Sequence, residues 1–325
     1  MKSKKIIARI EAGSMRLDKY IRILYPNLTQ GIIEKMLRKK DLKVNNKSQK
    51  SNFRLNNGDE IEIYLPYIQN IAQPKEEEFD YKSKILAHKL LNDYCILNDD
   101  NILAINKPSE LASQGGTNQF ISVDSAINYL NSSTQDTINF GYRICHRLDK
   151  STSGVFLIAK SRLAAQNLTE AFRMHHISKT YVAICDGIPK ENSGIIVNKL
   201  SKNVAKKLQF VTSRDDLQGE IAETKYQLIT ASKDRSLIKF MPKTGRMHQI
   251  RVHAQYLGCP IYGDLKYNIK KSKQGDTLRL MLHALNVQIP EEIVGKKYNI
   301  NATLPDYFAK AINKEFKYYD INELY

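Results

Sequence analysis

The sequence predicts a mixed α+β fold in two parts, a small basic αβ domain followed by a larger domain around a large sheet. Three observations carry this. The first 66 residues hold 15 Lys and Arg against 7 Asp and Glu, half of a net charge of +16 that the whole 325-residue chain carries. Residues 67–94 are polar and irregular with an acidic patch, as a linker is. From Cys95 to Tyr325, short β-branched apolar runs bounded by Gly or Pro alternate with helix-like segments.

In the first domain Ser14 is placed to cap a helix whose apolar positions Leu17, Ile21 and Leu24 recur at helical spacing. Thr29 is placed to cap a second, with Ile32, Ile33, Met36 and Leu37 inward and Lys35, Arg38 and Lys39 together on the opposite face. Asn45-Asn46 reads as a turn, and Ile61 and Ile63 alternate with acids as in a strand. In the second domain ILAINKP (102–108), VFLIAK (155–160), TYVAICDG (180–187), SLIKFMP (236–242) and LMLHALNVQI (280–289) read as strands, and SRLAAQNLTEAF (161–172) as a helix. The second half of the 67–94 linker has local helical character.

Several classes of protein are set aside. No apolar run is long enough to span a membrane, and the N-terminal IIA is too short for a signal peptide. The four scattered cysteines, with no C-x-x-C, fit free thiols in a reducing cytoplasm. There is no phosphate-binding P-loop, dinucleotide fingerprint or H-E-x-x-H, and the histidine spacing gives no metal site. A basic module of this kind meets a polyanion, and nucleic acid is favoured over an acidic membrane because no amphipathic anchor or lipidation site is seen.

Two segments are dense in chemistry. HRLDKSTSG (146–154) crowds His146, Arg147 and Asp149 against the strand VFLIA. Asp149 sits at a loop-to-strand junction where a rigid scaffold can aim it, among basic neighbours and before a tight Ser-Thr-Ser-Gly turn. An ordinary reading, a salt bridge or a turn cap, competes with a catalytic one. The second segment, TGRMHQIRVHAQYLGCPIYGDLKY (244–267), holds Arg246, His248, Gln249, Arg251 and His253 in eight positions. Read as strand or as helix, Arg251 turns inward while Arg246 stays near solvent. A buried guanidinium needs a carboxylate, and Asp149 can supply it. Phosphate contacts are the competing reading.

Family resemblance adds to this. SMRLDKYI, IIEKMLRKKDLKVNN and NNGDEI, over residues 14–64, resemble the S4 RNA-binding module. HRLDKSTSG, SKTYVAICDG (178–187), TGRMHQIRVHAQYLGCPIYGD and RLMLHA (279–284) resemble, in that order, the signature segments of the RluA family of pseudouridine synthases. The likeness spans about residues 14–310 and is closest to the RluC subgroup, which acts on large-subunit ribosomal RNA. It implies an S4-like αβ RNA-binding domain (1–66), a linker (67–94) and a pseudouridine-synthase-type catalytic domain (95–325) with a large mixed, mainly antiparallel sheet flanked by helices.

The resemblance also implies roles. Asp149 attacks the target uridine, Tyr181 stacks on the uracil and takes or relays its C5 proton, and Arg251 pairs with Asp149. Leu282 forms the apolar pocket, and His146 and Arg147 lie next to the displaced nucleotide. Lys35, Arg38, Lys39, Arg246 and His248 contact RNA. The implied partner is ribosomal RNA, with no cofactor, metal or membrane, for a monomer in the cytoplasm. Whether Asp149 attacks uracil C6 or ribose C1′ stays open, as does the choice of uridines. Two positions depart from the family pattern: Glu110 stands where a glycine commonly follows NKP-x, and Ser113-Gln114 replace a stretch that often carries a histidine. A non-catalytic S4-type RNA-binding or ribosome-assembly protein is the alternative. A metal-dependent nuclease, on the D-x-K of Asp264-Leu265-Lys266, is a second.

Overall fold

The apolar run at 155–159 is fully buried because the strand that holds it is covered on both faces. Val155, Leu157 and Ala159 belong to one core, and Phe156 and Ile158 to another. Such a strand has no polar face to show, which accounts for the unbroken hydrophobic run. A computed structural model describes residues 3–8, 14–25, 28–64, 66–69, 76–115, 121–132, 140–203, 208–212, 219–268 and 279–325. Linker residues 70–75 lie outside them, as does Gly116 of the Gly115-Gly116 pair that follows NKP and also resembles the family's first segment. The chain divides into two compact units, residues 1–79 and 80–325.

The first unit comprises β1 (Ser3–Ile7), β2 (Met15–Arg16), α1 (Leu17–Leu24), α2 (Gln30–Arg38), β3 (Leu42–Val44), β4 (Arg54–Leu55), β5 (Glu60–Tyr64) and the short α3 (Pro66–Gln69). Strands β1, β5 and β3 form an antiparallel sheet, and β2 pairs with β4. Leu17, Ile21, Ile33, Met36 and Ile61 fill its core. Thr29 caps α2, its hydroxyl accepting from Ile32 N at 3.4 Å. Ser14 caps nothing: α1 begins after Arg16, because residues 15–16 are held extended against β4. Asp18 in its first turn faces the helix dipole and binds Arg16 at 2.7 Å. Leu24, expected inward, is exposed. Asn45 and Asn46 both adopt positive φ, as the two central residues of a tight hairpin turn require.

The division falls after Phe79, well before the expected start at Cys95. The reason lies in α4 (Glu76–Leu91), whose Leu86, Ala87 and Leu90 are buried in the core with Leu103, Ile105 and Phe156. Residues 80–94 therefore belong to the second unit and not to a linker. That unit continues with β6 (Cys95–Asn98), β7 (Ile102–Lys107), α5 (Val123–Ser132), β8 (Phe140–Ile144), β9 (Ser153–Ser161), α6 (Arg162–Arg173) and β10 (Ser178–Asp186). Then come β11 (Ser193–Asn203), β12 (Leu208–Thr212), β13 (Glu220–Ala231), β14 (Arg235–Pro242), α7 (Gln249–Tyr256), β15 (Leu282–Ile289), α8 (Glu291–Val294), β16 (Tyr298–Asn301) and α9 (Asp306–Glu315).

Eleven strands form one sheet in the order β12-β11-β13-β14-β10-β15-β9-β7-β6, with β16 beside β15 and β8 beside β9. Among the described strands only β15 and β9 run parallel, pairing His283 with Ser153 and Ala284 with Gly154. Gly154 has φ +111°, and a Cβ there would stand 2.2 Å from the Ala284 carbonyl oxygen, so no other residue fits. That close approach brings the segment after Asp149 against the segment after Leu282.

Candidate active site

Asp149 lies in the loop between β8 and β9, and four bonds fix that loop from the last residue of β7 and the segment after it. Ser113 Oγ donates to Leu148 O at 2.8 Å and lies 3.1 Å from the Leu148 N–H. Ser109 Oγ donates to Ser151 O at 2.8 Å. The fully buried Lys107 gives its ammonium to Pro108 O, Leu111 O and Lys150 O at 3.0, 2.8 and 3.2 Å. Burial pushes this lysine down to about 7, with the Asp149 carboxylate acting in the opposite direction.

From Gln249 the second segment is a helix, α7, and Arg251 is 7% exposed on it. Its Nη1 donates to Asp149 Oδ2 at 3.3 Å. Its stronger bonds go to Asp264, whose fully buried carboxylate takes Nε and Nη2 at 2.7 Å each and also accepts from the Lys266 and Tyr267 backbone N–H groups. The sequence reading gave Arg251 one partner; the structure gives it two, unequally. Asp264 stands next to Gly263, at φ +78°, where a Cβ would lie 2.0 Å from Arg279 O. With both oxygens committed to a guanidinium, Asp264 is not a free ligand, and the D-x-K nuclease element dissolves.

His248 precedes α7 in a left-handed conformation, φ 54°. Its Nδ1 lies 2.8 Å from Tyr267 Oη, which accepts from Gln209 N at 2.9 Å. The other ring nitrogen, Nε2, faces Asp149 Oδ2 at 3.7 Å. Burial holds His248 below the ordinary histidine value. Expected as an RNA contact, it stands against the carboxylate instead. Arg246 behaves as expected of a residue near solvent, its Nη1 binding Glu220 at 2.7 Å.

Tyr181 on β10 and Leu282 on β15 reach the same cavity as Asp149, of about 480 Å³, because β10 and β15 pair with a bulge at Thr180/Tyr181. Burial first, and Asp149 second, push the Tyr181 phenol well above its usual range. It is uncharged at neutral pH and ill suited to take a proton. Arg147 lines the wall, exposed. His146 is sandwiched between Phe156 and Phe172 at 4.6 Å from each ring, and its Nε2 accepts from Leu157 N at 2.7 Å. Burial pushes it down to about 3, so it is a neutral wall and not a cation beside a phosphate. Lys179, two residues before Tyr181, also lines the cavity, and burial lowers it to about 8.

The first unit holds Lys35, Arg38 and Lys39 exposed at the C-terminal end of α2. Arg38 lines a cavity there with Lys50 and Arg16. Sequence reasoning missed Asp264 as an anchor, along with Tyr267 and Phe172. Asp264 and Tyr267 both lie within the second dense segment, 244–267, but the signal for their roles is purely spatial.

Residues 101–256 match the family described as RNA pseudouridylate synthase. The chain is 43% identical over 294 residues to "Ribosomal large subunit pseudouridine synthase C" of Rickettsia bellii (strain RML369-C), covering 90% of this chain and 95% of that protein. It is 30% identical over 319 residues to the protein of that name from Escherichia coli (strain K12), covering 96% and 97%. Among solved structures, human RNA pseudouridylate synthase domain containing 4 is similar with a TM-score of 0.61 and 26% identity, over 72% of this chain and 97% of that one. The large sheet with its carboxylate and guanidinium at one cavity is thus the scaffold of an RNA pseudouridine synthase, an isomerase. The chain belongs to the RluA family of these enzymes.

Proposed function

We propose that this protein converts uridines of large-subunit ribosomal RNA to pseudouridine, with Asp149 as nucleophile on a flipped-out nucleoside. The observation that carries the reading is the Asp149 carboxylate, 27% exposed at a cavity that Tyr181 and Leu282 also line, with a guanidinium 3.3 Å behind it. The ribosomal substrate rests on the names of the relatives.

The reaction breaks the bond from ribose C1′ to uracil N1, turns the base and rejoins it through C5. The C5 proton is lost and N1 gains one, so there is no net redox change. An Asp149 oxygen attacks either C6 or C1′ and is released when the new glycosidic bond is complete. Arg251 stabilises the carboxylate and cannot itself act as a base. Tyr181 stacks on the uracil and, with Leu282, keeps the loosened base from water. Its raised phenol leaves the C5 proton to another acceptor, and the released Asp149 carboxylate is the nearest one. Flipping costs a few kcal/mol, and stacking returns about 1–3 kcal/mol. Cationic contacts to the phosphates supply the remainder, from Arg147, Lys179 and Arg246 in this unit and from Lys35, Arg38 and Lys39 in residues 1–66, read as an S4-like RNA-binding domain. The protein works as a monomer in the cytoplasm, without a metal or cofactor.

Mapping pseudouridines in cellular ribosomal RNA with and without the gene tests the reading. Specific sites vanish without the gene and return with the wild-type copy but not with Asp149→Asn, whose RNA affinity stays within a few-fold. Restoration by Asp149→Asn overturns the nucleophile. An unchanged map on deletion favours a non-catalytic RNA-binding role.

A further inference from the structure

Asp149 borders two cavities. Besides the Tyr181 chamber, a second of about 700 Å³ is lined by Asp149, Arg147 and Arg251 together with Glu110, Gln114 and Met247. We propose that this second cavity holds a nucleotide flanking the target uridine, and that Glu110 and Gln114 select its base. The inference rests on the isomerase reading of Asp149.

Four features point there. A flanking nucleotide is joined to the target by one phosphodiester, so it must lie beside the carboxylate, where this cavity is. Its volume falls within the range of about 300–1,000 Å³ usual for small-ligand sites. Its walls divide by chemistry: Met247 and Leu265 expose apolar surface (37% and 81%) for a base face, while Lys150 and Lys266 offer cations to phosphate. Finally, Glu110 holds φ +67°, a conformation costly for any residue but glycine, yet its carboxylate is spent only on a loose pairing with Lys150 at 3.7 Å. Strain retained without a structural return is a mark of function.

The wall is also fixed relative to the chemistry. Ser109, Ser113 and Lys107 tie the 107–114 segment to the loop that carries Asp149. Unstacked RNA bases are read on their Watson–Crick edges. A carboxylate there accepts from exocyclic amino groups, which adenine, cytosine and guanine present. Uracil flanks its one N–H with two carbonyl oxygens and is repelled. The subsite therefore excludes uracil at one flanking position.

The test uses the full-length protein and fragments tiled across large-subunit ribosomal RNA. An active fragment is then remade with the two nucleotides on either side of its target randomised, and single-turnover products are sequenced. Wild type should deplete uracil at one flanking position by about 5-fold or more. Glu110→Gln, which can donate as well as accept, should admit uracil there, and Glu110→Gly, which suits the positive φ, should bring the preference within about 2-fold of none. Both should raise KM. An active wild type without flanking preference, or variants that keep the wild-type preference, overturns the subsite alone. A wild type that forms no pseudouridine on any fragment overturns the isomerase reading, and the subsite with it.

Discussion

Replacing Asp264 by Asn should cost more stability than replacing the nucleophile, although the nucleophile matters more to the rate. Asp264 has no exposed side-chain surface and takes two charge-assisted bonds of 2.7 Å from a guanidinium that is itself 9% exposed. Leaving a buried charge without its partner costs about 3–5 kcal/mol. The Asn carbonyl still accepts one bond, worth about 1 kcal/mol. The net loss is then about 2–4 kcal/mol, which lowers a urea midpoint by about 1 M at a slope near 3 kcal/mol/M. Asp149 makes one 3.3 Å bond to Arg251 and a looser 3.7 Å approach to His248 at 27% exposure, so Asp149→Asn should cost no more than about 1 kcal/mol. In single-turnover assays the order reverses. Asp149→Asn should form no product, while Asp264→Asn, by letting the guanidinium drift about 1 Å, should lose about 10²-fold. Urea melts of both variants beside these rates decide the matter. A wild-type midpoint for Asp264→Asn, or an equal loss in Asp149→Asn, would refute Asp264 as the anchor.

Lys107→Met keeps the buried stem but strips donors from three carbonyls, and should destabilise the protein by about 2–5 kcal/mol. Burial lowers Lys107 from 10.5 to about 7, so between those values the unfolded chain binds a proton that the native state does not. Wild type should therefore gain stability as pH rises from about 7 towards 10.5, and Lys107→Met should lose that part of the slope; parallel melts at pH 7 and 9 with identical slopes would count against it. At Tyr181, whose phenol stays protonated at neutral pH, Phe should keep RNA affinity and Leu should weaken it by about 5- to 150-fold. Equal affinities in filter binding would remove the stacking role.

What the sequence disclosed follows from what kind of information it holds. Asp149, Arg251, Tyr181 and Leu282 lie in segments whose residue types are unusual for their setting, and all four line one cavity. The sheet was legible because VFLIA and its neighbours cannot be anything but buried strands. Arg251 could not be assigned to a helix or a strand, since the same residue turns inward in either. Asp264 escaped because it lies 13 residues beyond Arg251, and with Lys266 it read instead as a D-x-K element. His248 escaped for another reason: a left-handed histidine before a helix violates the preference that sequence reasoning applies. The α4 boundary was misread because the acidic start of that helix looks like linker, while only Leu86, Ala87 and Leu90 declare its buried face.

The unequal sharing of Arg251 explains how a carboxylate can be both paired and reactive. A bidentate pair with Asp149 would satisfy the guanidinium but occupy the lone pairs that must reach carbon. A lone Asp149 would leave a buried cation unmatched, at a cost the fold could hardly bear. Asp264 resolves the conflict by taking both short bonds, with two backbone N–H groups holding its Oδ1 in place. Asp149 then needs only the residual field of the guanidinium, at 3.3 Å through one oxygen, and Nε2 of His248 stands at 3.7 Å from that same oxygen. Its Oδ1 has no part in either contact and is the oxygen that would attack on the proposed mechanism. The anchor is buried because it must be rigid, and the proposed nucleophile is part-exposed because it must be met.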